Sequence, residues 1–150
     1  MTIRKKENES FGTCQADIRL ELSDYAKSHG YEIHHFKNVA CKCGGRLFDL
    51  YIDDDECVAT RICTVCKNEH VMLDGEEYLE DTEFYQAVCT CGSQPFELTV
   101  GVKLYSHEHG LSDDVHWLFI GCRCPNCNLV GCYADWKNEF TGYEKLLSNA

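Results

Sequence analysis

The chain has 150 residues, 44% of them apolar, and a formal net charge of −11. That length suits one domain or two small units packed together, and no apolar run approaches the roughly 18–20 residues of a membrane-spanning helix. The acidic excess opposes binding to a phosphate backbone, which depends on Lys and Arg neutralising phosphates.

In chain order, the first ten residues, MTIRKKENES, are basic and then polar with no apolar stretch behind them. They read as a tail rather than a secretory signal or targeting helix, so a cytoplasmic location is expected. The segment DIRLELS alternates as a strand would. Ile18, Leu22, Tyr25 and Ala26 nevertheless share one helical face, and SDYAKSHG ends on a glycine stop, so the spacing predicts a helix over 17–29. His34 and His35 precede a strand and are expected to have no chemical role.

An internal repeat follows. The first copy starts VACKCGGRLFDLYI and the second AVCTCGSQPFELTV. Each reaches C-x-C-G, at Cys41, Cys43 and Gly44 and at Cys89, Cys91 and Gly92. Each continues into an aromatic–acid–Leu triplet, Phe48-Asp49-Leu50 and Phe96-Glu97-Leu98. Each then arrives at C-x-x-C, Cys63/Cys66 and Cys124/Cys127, with an aspartate eight residues on, Asp74 and Asp135. The interval between pairs is 19 residues in the first copy (44–62) and 32 in the second (92–123). The extra length falls around Tyr105–Asp114, so the second copy is expected to carry a longer hairpin with a polar, His-rich tip.

Between the cysteine pairs, LFDLYI, CVATRI, ELTVGVKL and HWLFIG read as strands separated by acidic or Gly/His turns. EHVML and LVGCYAD add a third strand to each copy. The fold class expected is mainly β with minor α: two tandem three-stranded antiparallel sheets plus a short N-terminal helix. The divisions follow as 1–37 for an N-terminal packing segment, 38–83 for the first unit and 84–150 for the second. Glu76–Phe84 and Tyr143–Leu147 are weaker helix candidates.

Twelve of the residues are cysteine. In a reducing compartment such thiols bind metal more often than they pair. Two close cysteine pairs brought together by a hairpin supply the four soft ligands a structural zinc ion takes in a tetrahedron. The ligand sets expected for two structural zinc ions are Cys41, Cys43, Cys63 and Cys66, and Cys89, Cys91, Cys124 and Cys127. Gly44 and Gly92 let the chain turn past the sulfurs, and Pro125 pre-sets the second C-x-x-C turn. Cys122 is ambiguous because Cys122-Arg-Cys124 repeats the C-x-C spacing, but the repeat places it opposite Arg61, outside the ligand set. Cys57 and Cys132 read as small core residues, and no second cysteine lies close to Cys14 in the sequence.

Over residues 38–140 the pattern resembles tandem zinc ribbons, the β-hairpin zinc modules of many transcription, ribosomal and adaptor proteins. Its C-x-C-G knuckle differs from their usual C-P-x-C-G.

Three functions are in view. The first is a non-catalytic binding protein with an acidic surface. Between Lys67 and Lys103 there is no Lys or Arg but eight acids, and Glu76, Glu77, Tyr78, Glu80 and Asp81 would meet a basic protein partner. By size and charge alone, an immunity-type protein neutralising a basic toxin has this character. The second is a nucleic-acid or transcription-associated module, the usual employment of zinc ribbons, which the charge disfavours. The third is a zinc enzyme. Four cysteines per ion leave no open position, so an enzyme would need a further site in the hairpin, from His107, His109 and His116 with Glu108, Asp113 and Asp114. Trp136 is expected to pack between the units.

Overall fold

Phe48-Asp49-Leu50-Tyr51-Ile52 alternates in and out of an apolar interior, and Val58–Cys63 runs back beside it. A period of two with one face buried is what a hairpin strand requires. The computed structural model describes residues 9–150 and the backbone of residues 4–6. Its strands are β1 (Arg4–Lys6), β2 (Glu9–Phe11), β3 (His35–Asn38), β4 (Phe48–Asp53), β5 (Val58–Cys63), β6 (Glu69–Val71), β7 (Tyr85–Gln86), β8 (Pro95–His107), β9 (Gly110–Arg123) and β10 (Leu129–Lys137). Helix α1 spans Gln15–Ser28, α2 spans Tyr143–Ser148, and Gly75–Tyr78 is one 3₁₀ turn. No described helix is long and apolar enough to cross a membrane.

The protein is mainly β with a short helix, but the two expected sheets are joined. Among the described residues, one hydrogen-bonded sheet runs β1-β2-β10-β9-β8-β4-β5-β6, with β3 also on β8 and β7 also on β4. This corrects the picture of two separate three-stranded sheets. Each hairpin alone would leave an apolar edge strand unpaired, and pairing β4 with β8 removes both edges at once.

The repeat extends to the register. Leu50 lies opposite Arg61 in the first hairpin, and its counterpart Leu98 lies opposite Cys122 in the second. Arg61 faces His70 on β6, as Cys122 faces Gly131 on β10. Where β4 meets β8, Phe48 is paired with its own counterpart, Phe96. Equivalent residues facing each other in an antiparallel ladder place a local two-fold axis between them.

The same axis exchanges the strands that lead into each C-x-C-G. β3, from the first copy, pairs with β8 of the second (Asn38 with Thr99, Lys37 with Val100). β7, from the second copy, pairs with β4 of the first (Gln86 with Tyr51, Tyr85 with Ile52). Val39 N–H donates to Leu98 O at 3.0 Å and, equivalently, Ala87 N–H donates to Leu50 O at 2.7 Å.

α1 breaks the symmetry. Its Ile18, Leu22 and Ala26 recur at helical spacing and pack on Phe119 of β9 and Val130 of β10. The approach is close enough that a Cβ on Gly121 would lie 2.5 Å from Ile18 Cγ2. Asp17 accepts the Thr13 N–H at 2.7 Å at the helix start, and Gly30, at φ +81°, ends the helix in the left-handed region. The helix thus begins two residues earlier than expected, because Asp17 caps it from within. Gln15 is buried and spans the exchange, donating to Val39 O and Leu98 O at 3.2 and 3.0 Å and accepting from Arg46 at 2.9 Å.

Other expectations resolve locally. The tail expected over 1–10 falls partly outside the described residues, but Ser10 and Phe11 of β2 pair with β10. Glu76–Phe84 yields only the 3₁₀ turn, while Tyr143–Leu147 is helical as α2. The longer hairpin expected in the second copy is present: β8 and β9 stay paired out to a turn between His107 and Gly110. Trp136 is packed in the main core at 7% exposure. Cys57 is not on a strand but half-buried in a turn at φ +59°.

Candidate metal centre

Each cysteine quartet is assembled from two turns at the same end of a hairpin. The first turn is closed by Cys41 N–H to Gly45 O at 2.8 Å and Gly44 N–H to Cys41 O at 2.9 Å. Its counterpart has Cys89 N–H to Ser93 O and Gly92 N–H to Cys89 O, both at 2.8 Å. Gly44 and Gly92 both sit at φ +93°, a conformation open to glycine. The second turn is closed by Lys67 N–H to Cys63 O at 3.0 Å and by Asn128 N–H to Cys124 O at 2.8 Å. Lys67 and Asn128 have φ +65° and +67°.

The eight sulfurs predicted from the sequence come together as two sets of four, each set lying within 4.8 Å of one another. Sγ of Cys41 is 3.5 Å from that of Cys66, and Cys43 is 3.6 Å from Cys63. In the second quartet Cys89–Cys127 is 3.5 Å and Cys91–Cys124 is 3.7 Å. Sulfurs bonded at about 2.3 Å around a tetrahedral ion stand about 3.8 Å apart, whereas a disulfide needs about 2.05 Å. The spacing fits one metal ion per quartet, and none of the twelve cysteines is in a disulfide.

Within each quartet some thiols are pulled toward thiolate and others away from it. The Gly45 N–H pulls Cys43 down, but hydrogen bonds with the other thiols and burial together outweigh it and push Cys43 up to about 11, and burial pushes Cys127 up to about 12. Backbone N–H groups of Cys66 and Val65 hold the Cys63 thiol down to about 6. The Asn126 side chain, 3.4 Å from Cys91 Sγ, and the Ser93 N–H hold Cys91 down to about 6. N–H donors aimed at sulfur favour the charged form, which is the metal-binding form.

Cys122 stands outside the quartets: it is buried, and burial pushes its thiol up to about 12. Arg61, its counterpart, is 6% exposed with its guanidinium 4.7 Å over the Phe48 ring. Arg61 donates from Nε and Nη2 to Ala150 O at 3.3 and 2.9 Å. Arg61, Gln15 and Asn126 were not singled out in the sequence. Arg61 was legible only as the residue opposite Cys122 in the repeat, and nothing local marks Gln15.

The histidines of the long hairpin are not gathered. His116 stacks on Tyr105 at 4.4 Å between ring centroids, while His107 and His109 are exposed. Among the described residues only the two cysteine quartets bring three or more potential metal ligands together. The five residues expected to meet a partner, Glu76, Glu77, Tyr78, Glu80 and Asp81, are all exposed on and after the 3₁₀ turn. Nearby, Asp53, Asp54, Asp55 and Glu56 line an open cleft with Asp81 and Glu83.

No protein-family model matches the chain, and no curated protein or solved structure matches it significantly.

Proposed function

We propose that this is a non-catalytic binding protein, stabilised by two structural zinc ions, whose acidic and aromatic surface captures a basic protein. Zinc is the ion best suited to four thiolates in a tetrahedron, and a closed set of four leaves no position for a reacting water. Its role here is to supply folding free energy to a sheet whose ends are short turns.

The observation that carries the binding reading is where apolar side chains meet solvent. Of the eight large hydrophobics exposed among the described residues, five fall between 78 and 88: Tyr78, Leu79, Phe84, Tyr85 and Val88. The same stretch carries Glu80, Asp81 and Glu83 and no positive charge. Aromatic anchors ringed by carboxylates suit a basic partner, with charge steering the encounter and rings supplying the contact. An immunity-type role against a basic toxin, in the cytoplasm, is the biological form of this reading.

The test is charge reversal. Glu76, Glu77, Glu80 and Asp81 replaced together by Lys should abolish capture of the basic partner retained by the wild-type protein, with zinc content still two per chain. Undiminished capture by the reversed protein would remove the acidic turn from the reading.

A further inference from the structure

Arg61 is buried, and none of the ion pairs among the described residues joins it to an Asp or Glu side chain. Its Nε and Nη2 are taken by Ala150 O, while Nη1 is shielded from solvent with no nitrogen or oxygen partner. A buried guanidinium is costly unless something anionic offsets it.

What lies beside it is the first cysteine quartet. Arg61 and Cys63 are two residues apart on β5 and so project from one face of the strand. Phe48, whose ring lies 4.7 Å under the guanidinium, is the register partner of Cys63. Arg61 also lines one cleft with Cys41, Cys43 and Cys66. Burial aside, the influences on its charge are the Cys41, Cys63 and Cys66 sulfurs, Cys41 foremost. Four thiolates around a divalent zinc ion carry a net charge of about −2, so a loaded quartet supplies the anion that the guanidinium requires.

The second quartet is built on the same turns without that cation. The repeat puts Cys122, a buried thiol, where the first copy has Arg61. Lys42 and Lys67, from the two turns of the first quartet, have Thr90 and Asn128 as counterparts; both lysines are exposed, so their charge is screened by solvent while that of Arg61 is not. The second copy's own Arg123 is held by Glu97 and Asn128. In place of a cation this quartet has Asn126, 3.4 Å from Cys91 Sγ. A hydrogen bond from an ionised donor is roughly twice as strong as one from a neutral amide.

We infer that Arg61 is a positioning residue of the first metal centre: its guanidinium donates to the Cys41 thiolate and offsets the charge of the four-thiolate ion, so that the first quartet keeps its zinc longer than the second. The inference rests on the zinc reading of the quartets and adds which of the two ions is the exchangeable one. A donor held against a bound thiolate opposes its protonation and its exchange.

The experiment starts from the full chain, purified without chelator and carrying two zinc ions by mass spectrometry. One equivalent of EDTA per chain is added, and the amide signals of the four turns are followed by NMR. Those of 89–93 and 124–128 are expected to change first, with 41–45 and 63–67 still as in the loaded protein. Arg61→Met keeps an apolar stem and removes the charge. It should release zinc from the first quartet about 10–100-fold faster and leave the second at its own rate, whereas a purely structural role would speed both quartets alike. Earlier loss from the first quartet, simultaneous loss from both, or an unchanged first-quartet rate in Arg61→Met would each overturn the inference. Fewer than two zinc ions at the outset would overturn the zinc reading itself. The order of release from the unaltered protein decides whether or not the variant folds.

Discussion

Phe48 and Phe96, each one residue of a duplicated Phe–acid–Leu triplet, are paired with each other across β4 and β8. Both are buried, Phe48 completely and Phe96 at 3% exposure. The pair holds the two halves together, because the reciprocal exchange of β3 and β7 is built around it. A duplicated unit has thereby become one sheet with one main core, which also contains Cys63, Cys89 and Cys124.

Truncating either member of this pair should therefore be felt by both quartets. Phe48→Ala and Phe96→Ala are each expected to cost about 3–5 kcal/mol. Urea unfolding followed by circular dichroism should give one transition in each variant, at a lower midpoint. Two resolved transitions in either variant would mean the halves unfold independently.

Metal removal probes the same coupling. Cys66→Ser and Cys127→Ser should each release about one equivalent of zinc, read by mass spectrometry on protein purified without chelator. Because the exchanged strands tie the halves, each variant should also melt at a lower temperature as a whole. Two retained zinc ions in both variants would refute the ligand sets.

Gly121 is the close approach between α1 and β9. Gly121→Ala places a methyl group against Ile18 and Leu22 and is expected to cost about 1–3 kcal/mol by overpacking. Chemical denaturation measures it, and an unchanged midpoint would mean the helix stands further off than described.

Gln15 carries the only side chain seen bonding both sides of the β3–β8 exchange, among the described residues. Gln15→Leu leaves the Val39 and Leu98 carbonyls and Arg46 without this partner, at an expected cost of about 1–3 kcal/mol. Amide hydrogen exchange at Val39 should speed up in the variant, while exchange at the distant Ala87 should follow only the global stability.

His34 makes a pH prediction. Burial pulls its pKa below the ordinary 6.5, against the opposing pull of Glu32. Its Nδ1 accepts the Leu104 N–H at 2.9 Å and must be unprotonated to do so. The unfolded state therefore binds the proton more readily, so this contribution is full above pH 6.5 and shrinks as pH falls through the lowered value. An NMR titration of the His34 ring should give a midpoint under 6.5. A midpoint at or above 6.5 would contradict the buried acceptor role.

Much of the candidate site was legible before any coordinates, and for a local reason. The C-x-C-G and C-x-x-C turns are closed by hydrogen bonds within five residues, so spacing alone predicts which sulfurs converge. The hairpin strands were equally legible, since LFDLYI and CVATRI carry their alternation within themselves. Helix α1 was recognisable from Ile18, Leu22 and Ala26, though not its start, which depends on Asp17 turning back to Thr13.

What the tertiary structure decided is which strand each element pairs with. His35–Asn38 and Tyr85–Gln86 are short and carry no pattern that names a partner, and each crosses to the other repeat. Nor could periodicity reveal that Phe48 would meet Phe96 or that Arg61 would reach Ala150. Turn chemistry and alternation act over a few residues and are written in order along the chain. Edge pairing and the two-fold relation arise only when distant segments compete to cover the same apolar edges, and that competition is settled in three dimensions.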